Sequence, residues 1–331
     1  MAVLITGGSG FVGINIIEKL LDENLNVVNY ATFPVPEEAE ISFERRQGTY
    51  QFMEGDVLDA TSLDDVMEKY DISMVIHGAV ITPDFKQEKA NSKHITNVNY
   101  MGTIEVLEAA RRHQVKKFIY ISSVSVYGDA AFEDEVLHET QSVPIPRTLY
   151  EITKYAAEST ALRYKTLFGM EVMVTRVGQV FGPWERYTGI RHTPSGPFQA
   201  TRNALLNREI KMPRPGVRDW VYSRDVAEVI WRLLQKHTYQ YDIYNIGPGH
   251  QWTIEQWCDL LQQEIPNLTY SVAAQEDMNI DFFVPVDAGM LAIERLNEDL
   301  DFQPQYSMEE AFKDYMEWIA TTSDFWLSES T

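Results

Sequence analysis

"LITGGSGFVG" occupies residues 4–13. An apolar run ends at Thr6, glycines follow at positions 7, 8, 10 and 13, and an apolar pattern resumes. "AVLIT" (2–6) has the continuous apolar character of a buried parallel strand, and "FVGINIIEKLLDE" (11–23) carries its apolar residues at helical spacing. The segment therefore reads strand, glycine turn, helix. Glycine permits the tight turn and lets backbone N–H groups come close to a pyrophosphate, and a helix starting near residue 11 offers its positive end to the phosphates. Gly13 is expected to let that helix pack close to the strand. This predicts a dinucleotide site, against the plainer alternative of a glycine-rich turn that binds nothing.

The pattern spreads outward from there. "LNVVNYA" (25–31), "SMVIHGAV" (73–80), "KFIYISSVSVYG" (117–128), "MEVMVTRV" (170–177) and "YDIYNIG" (241–247) read as strands. "NVNYMGTIEVLEAARRHQ" (97–114), "LYEITKYAAESTALRYKTLF" (149–168), "SRDVAEVIWRLLQK" (223–236) and "SMEEAFKDYMEWIA" (307–320) read as helices. The Gly- and Pro-rich stretch 178–197 reads as loop, and 321–331 as a frayed tail. Alternation of strand and helix predicts an α/β fold: a Rossmann-like, doubly wound parallel sheet with a smaller C-terminal α/β substrate-binding domain. The expected division is 1–177 with 219–246 for the nucleotide half, and 178–218 with 247–331 for the substrate half.

Bulk properties narrow the function. The 331 residues are 44% apolar and 23% charged, as in an ordinary globular protein. One cysteine, Cys258, rules out an internal disulfide framework and fits a reducing, cytoplasmic setting. No signal peptide and no membrane span is expected. A net charge of −21 disfavours nucleic acid and anionic membranes as partners. Against it stands an island at 178–218 that carries +5, while the rest of the chain carries −26. Arg186, Arg191 and Arg218 lie in that island, and it predicts an anionic small-molecule ligand. The alternative is ordinary solvated loop and helix charge.

"YEITK" places Tyr150 and Lys154 at i and i+4, on one helix face. A free tyrosine ionises near pH 10. To act as a base near neutrality it must be helped by about 3–4 kcal/mol, which a nearby ammonium and an oxidised nicotinamide can supply. Ser123 and Ser125 stand near the C-terminal end of a predicted strand, where such sheets bind ligands. One of these hydroxyls can hold a substrate oxygen, or both can serve strand-end hydrogen bonding. The acid expected about 20 residues after the glycines to hold the adenosine ribose is missing. Ala31 and Thr32 stand there, and no Arg replaces it. NAD is the expected cofactor, with NADP left open.

Taken together, "TGGSGFVG" (6–13), "GDVLD" (55–59), "VIHGAV" (75–80), "NVNYMGT" (97–103), "ISSVSVYG" (121–128), "YEITK" (150–154), "RVGQVFGP" (176–183), "VRDWVYSRDVAEVI" (217–230) and "YNIG" (244–247) resemble the extended short-chain dehydrogenase/reductases of the NAD-dependent epimerase/dehydratase family. The resemblance implies that Tyr150 is the acid/base, that Lys154 binds the nicotinamide ribose and lowers the Tyr ionisation, and that Ser123 orients the reacting oxygen. It implies cofactor contacts at Gly7, Gly10, Phe11, Val12, Gly13, Ala31, Asp56, Val57, Gly78, Ala79, Val80, Asn99 and Ile121, besides Tyr150 and Lys154. Substrate contacts are implied at Ser123, Ser125, Gln179, Arg186, Arg191 and Arg218, and no metal. The implied reaction moves a hydride at a secondary alcohol of a sugar, with a nucleotide sugar the leading candidate. A free sugar or sugar acid is the alternative, and a non-catalytic cofactor sensor a further one. A homodimer through the helices at 97–114 and 149–168 is also implied. Three features depart from the family pattern: Ala31 for the ribose acid, Gln179 for a common Asn, and "MPRPGV" (212–217) for a glycine–aspartate turn. Val124-Ser125 stands where dehydratases carry Asp-Glu, which argues against dehydration.

Overall fold

In the computed structural model, which describes residues 2–187, 193–274, 276–282, 284 and 286–327, β1 (Ala2–Thr6) is buried along its whole length. Its side chains alternate between two separate apolar clusters: Val3 and Ile5 enter one, Ala2 and Leu4 the other. A strand buried on both faces must be covered twice, and the rest of the first half does so. Helices α1 (Phe11–Asp22) and α2 (Glu37–Glu44) cover one face, while α3 (Ala60–Lys69), α5 (Gly102–Arg112) and α6 (Leu149–Phe168) cover the other. Between them run β2 (Asn26–Ala31), β3 (Thr49–Glu54), β4 (Ile72–His77), α4 (Phe85–Thr96) and β5 (Lys117–Ser123).

The second half adds a short β6 (Val136–Leu137), then β7 (Val172–Val177), β8 (Gln179–Phe181), α7 (Gly196–Leu205), β9 (Ile210–Met212) and β10 (Trp220–Tyr222). After these come α8 (Ser223–Gln235), β11 (Ile243–Ile246), α9 (Ile254–Glu264), β12 (Tyr270–Val272), β13 (Met290–Leu291), α10 (Glu294–Leu300) and α11 (Met308–Leu327). The main sheet has seven parallel strands in the order β11-β7-β5-β4-β1-β2-β3. The direction of winding reverses between β1 and β4, the point at which such sheets open a ligand crevice. A third, aromatic-rich cluster joins Phe181, Phe198, Trp252, Trp257 and Tyr315, with Trp252 stacked on Trp257 at 5.4 Å between centroids. Leu296, Leu300 and Phe302 pack instead into the sheet-face core with α1 and α8.

The doubly wound α/β architecture agrees with the sequence, and helix 149–168 has the expected bounds. Several boundaries differ. Strand 73–80 stops at His77, and strand 117–128 stops at Ser123, where the Ser123 hydroxyl accepts the Ser125 N–H and turns the chain into a 3-10 segment. The helix expected at 97–114 starts far earlier, with α4, and a π-turn at Asn97–Met101 separates it from α5. Within the expected loop 178–197, Gln179–Phe181 is a strand. The tail is not frayed to residue 327, because α11 continues there and Arg202 donates to the carbonyls of Trp326 (2.9 Å) and Leu327 (3.1 Å).

His77 ties β4 to its neighbours. Its ring nitrogens bond Thr6 Oγ1 at 2.6 Å and Thr103 Oγ1 at 2.9 Å, and it is wholly buried. Burial pushes its ionisation down to about 3, and the Lys154 ammonium acts in the same direction. Below about pH 6.5 the unfolded chain therefore takes a proton that the folded chain refuses, and stability drains away as pH falls towards 3. A His77→Gln variant keeps polar bridges but cannot titrate. Its melting temperature should decline less steeply than that of the wild type between pH 6.5 and 4.5. Parallel slopes in the two melting series would remove His77 as the acid-sensitive group.

Candidate active site

The crevice begins with the glycine turn. Gly7 has φ +71°, and a Cβ there would lie 2.7 Å from Ala79 Cα. The turn thus presses directly on the segment after β4. A Cβ on Gly13 would lie 2.6 Å from Gly8 Cα, so Gly13 packs on the turn itself rather than on the strand. Gly10 is the N-cap of α1 and supplies no side-chain cap, so the positive end of the helix opens into the crevice without a competing side-chain oxygen. Below the turn, Ser9 donates to Phe33 O at 2.6 Å and accepts from Asn29 Nδ2 at 2.9 Å, which fastens it to the end of β2. Phe11 and Val12 open α1. The glycine turn, with the N-terminus of α1 behind it and no side-chain cap, fits the pyrophosphate of a dinucleotide.

The other positions expected to contact the cofactor lie at or beyond the ends of β2, β3 and β4 and on the π-turn. Ala31 ends β2, buried. Asp56 is exposed and turns its carboxylate to the Leu58 N–H, while Val57 is buried against α5. Gly78, Ala79 and Val80 follow β4 directly. Asn99 sits on the π-turn, and its amide is committed. It accepts from Ile81 N (2.8 Å), donates to Ile81 O (3.0 Å) and reaches Thr153 Oγ1 (3.3 Å). Its part is to hold residues 78–81 and tie them to α6. Sequence reasoning missed the acidic first turn of α2, with Glu37, Glu38 and Glu40 six to nine residues beyond Ala31. Arg46 pairs with Glu18 (2.9 Å) and with Asp22 on α1, which withdraws it from the crevice.

The residues expected to react come from β5 and α6. Thr148 and Glu151 form a capping box that fixes the start of α6, and Tyr150 lies in its first turn. One turn on, Lys154 is 3% exposed, with Nζ donating to Ile121 O at 2.6 Å and lying 4.9 Å from the centroid of the Tyr120 ring. Burial pushes Lys154 down to about 7, and Glu158 opposes the fall. Ser123, at the end of β5, donates to Ser125 Oγ at 3.2 Å. Further along α6, Glu158 accepts from Arg176 in a fork (2.5–3.2 Å) and from Ser122 Oγ at 2.8 Å, all buried. Glu158 extends the i, i+4 spacing of Tyr150 and Lys154, and that signal was open to the sequence.

The basic island does not survive as a single feature. Arg202 caps α11, Lys211 pairs with Glu209 (3.4 Å), and Arg208 is exposed. Arg191 lies outside the described residues. Arg186 rests over Phe325 at 5.5 Å, its Nη1 buried and without a hydrogen-bond partner. Burial lowers its ionisation, and Glu38 is its counter-charge, so it faces α2 rather than Arg218. Arg218 is 7% exposed, its Nη2 donates to Val286 O at 3.4 Å, and it stands with Arg214, Asp219 and Asp287. Gln179, which opens β8, pairs in register with Trp220. Among the described residues no cluster of His, Cys, Asp or Glu is arranged to hold a metal, and no helix is long and apolar enough to cross a membrane.

Residues 3–247 match the model of the NAD dependent epimerase/dehydratase family. Among curated relatives, a putative UDP-glucose 4-epimerase of Methanocaldococcus jannaschii is 25% identical, over 96% of this chain and 98% of its own. A dTDP-glucose 4,6-dehydratase of Neisseria meningitidis is 24% identical over 98% and 94%. Among solved structures, UDP-glucose 4-epimerase of Bifidobacterium longum in complex with NAD+ and UDP superposes with a TM-score of 0.81. It is 18% identical and the match covers 98% of this chain and 99% of that one.

The acidic turn of α2 and the sequestered Arg46 together set a prediction. A 2′-phosphate would meet carboxylates rather than cations, so calorimetric titration should find NADP at least about ten-fold weaker than NAD. Glu38→Lys should narrow the gap. Equal affinity for the two dinucleotides in the wild type would overturn the electrostatic account.

Proposed function

Because the chain belongs to the NAD-dependent epimerase/dehydratase family, we propose that it epimerises a secondary alcohol carbon of a nucleotide sugar. We assign Tyr150 as acid/base, Lys154 as its charged neighbour and Ser123 as the residue that orients the substrate oxygen. The observation that carries the reading is the buried Lys154 ammonium, bonded to Ile121 O one helical turn from Tyr150 and two residues from Ser123 along β5. NAD, when bound, accepts and returns the hydride. The chain's own residues handle the proton. Tyr150 takes it from the sugar hydroxyl and later gives it back, and Lys154 stabilises the phenolate by a positive charge that little water screens. Ser123 donates a hydrogen bond to the same oxygen and so sets which carbon reacts.

Two features favour epimerisation over dehydration. Residues 123–128 hold no carboxylate, and the Ser125 hydroxyl and N–H both engage Ser123 Oγ. The named relatives are called UDP- and dTDP-sugar enzymes, and the buried Arg218 guanidinium suits the diphosphate of such a ligand. We place substrate recognition in 178–218 with 247–331, and cofactor binding in 1–177 with 219–246. We also assign a cytoplasmic homodimer. Apolar residues exposed on the π-turn and α6, namely Met101, Ile152 and Phe168, support a helix-mediated contact.

Incubation of the NAD-loaded protein with UDP- and dTDP-hexoses, read by proton NMR, tests the reaction. The expected product is the epimer, and a 4-keto-6-deoxy sugar would place the protein with the dehydratases instead. Tyr150→Phe should lower kcat by about 10²–10⁴-fold while leaving the Kd for NAD near wild type. Full activity in that variant would sink the acid/base assignment. Arg218→Ala should raise KM by about 10–100-fold with less change in kcat, as expected for loss of uniform binding.

A further inference from the structure

Lys154 and Glu158 are stitched to consecutive residues of one strand. Lys154 Nζ donates to Ile121 O at 2.6 Å, and Glu158 accepts from Ser122 Oγ at 2.8 Å. Ser123 comes next. The Glu158 carboxylate is also gripped by the Arg176 fork from β7, and Arg176 Nη1 donates to Glu139 O at 3.1 Å. Both partners of the ion pair are nearly inaccessible, at 2–3% side-chain exposure. We propose that Glu158 is a positioning residue for the reaction: held by Arg176, its carboxylate lies one helical turn beyond Lys154 as the negative charge facing that ammonium, and through Ser122 it fixes the end of β5 that carries Ser123. The inference rests on the reading of Tyr150, Lys154 and Ser123 given above.

The surroundings of Lys154 support it. From β5 it meets the Tyr120 ring and the Ile121 carbonyl, and from β4 the neutral His77. From its own helix come Tyr150 and Glu158, and from β7, behind Glu158, comes Arg176. Tyr120 is buried and held un-ionised, so it adds no charge. Within this set Glu158 is the carboxylate, and it works against the burial that strips Lys154 of its proton. Its own attachment to Arg176 prevents it from swinging over to Lys154. The ammonium is thereby left free to serve the phenol one turn back.

The test compares three variants under saturating NAD. Glu158→Gln keeps the shape and removes the charge. Lys154 should then shed its proton at lower pH, moving the alkaline limb of the kcat/KM profile down by about one pH unit. Ser122→Ala leaves both charges in place and cuts one stitch. It should lower kcat about ten-fold through misplacement of Ser123, with the alkaline limb unmoved. If the ion pair is merely structural, E158Q will lose melting temperature while the folded fraction keeps the wild-type profile, and S122A will keep wild-type kcat; that result overturns the proposal. Should E158Q fail to fold, S122A decides, since wild-type kcat per folded molecule overturns the positioning role. Tyr150→Phe, run alongside, separates the two levels. An active Y150F removes the reading beneath the proposal, whereas an inactive Y150F beside unaltered E158Q and S122A profiles removes the role of Glu158 alone.

Discussion

Lys154 carries an amine into a place that excludes water, and much of the molecule is arranged to hold it there. A buried ammonium without partners is untenable, so it must either lose its proton or find acceptors. Here one backbone carbonyl, Ile121 O, and one aromatic face, Tyr120, lie against it. That arrangement requires α6 to sit at one height along β5. The height is set by the capping box at Thr148, by the Glu88 carboxylate that accepts the Leu149 N–H, and by the Glu158–Arg176 pair further along. Removing one charge from such a pair is far more damaging than the pair's net contribution to stability suggests. Its value lies in register.

The architecture was legible because periodicity reports burial. Continuous apolar strands and amphipathic helices alternate through the chain, and helix 149–168 could be read to its last residue because capping residues mark its start and Gly169 its end. Segment ends were harder. Nothing in "SMVIHGAV" says that the strand must stop at His77, because the break comes from Thr6 and Asn99, distant residues that hold the chain at the crevice. The same limit applied to charge. Seven basic residues between 178 and 218 form a sum in sequence, but the six among the described residues divide in space: Arg202 holds the end of α11, Lys211 and Arg214 sit in ion pairs, Arg208 is exposed, Arg186 lies over Phe325, and Arg218 stands beside Asp219. The glycine cradle and the Tyr–Lys spacing were visible because their chemistry is local. Glu158 became meaningful only once Arg176 and Ser122 were seen around it.

Asn15 shows how closely the two halves are joined. Its Nδ2 donates to Phe11 O (3.0 Å) and Pro183 O (2.9 Å), while its Oδ1 accepts from Ser223 Oγ (3.0 Å). A single buried amide on α1 thus contacts the segment after β8 and the junction of β10 with α8. Any adjustment of either segment on substrate binding is felt at the first two turns of α1.

The same geometry governs the order in which a nascent chain can fold. Asn15 and Ser223 are separated by 208 positions, and the apolar face of α1, with Ile14, Ile17 and Leu21, shares its core with Val226, Ile230 and Leu233 of α8. A ribosome that has released α1 must therefore translate some 208 further residues before α8 can complete that core. At ordinary elongation rates the interval lasts on the order of ten seconds or more. For that time α1 has its neighbours in β1, β2 and α2, but the part of its core that α8 supplies stays open.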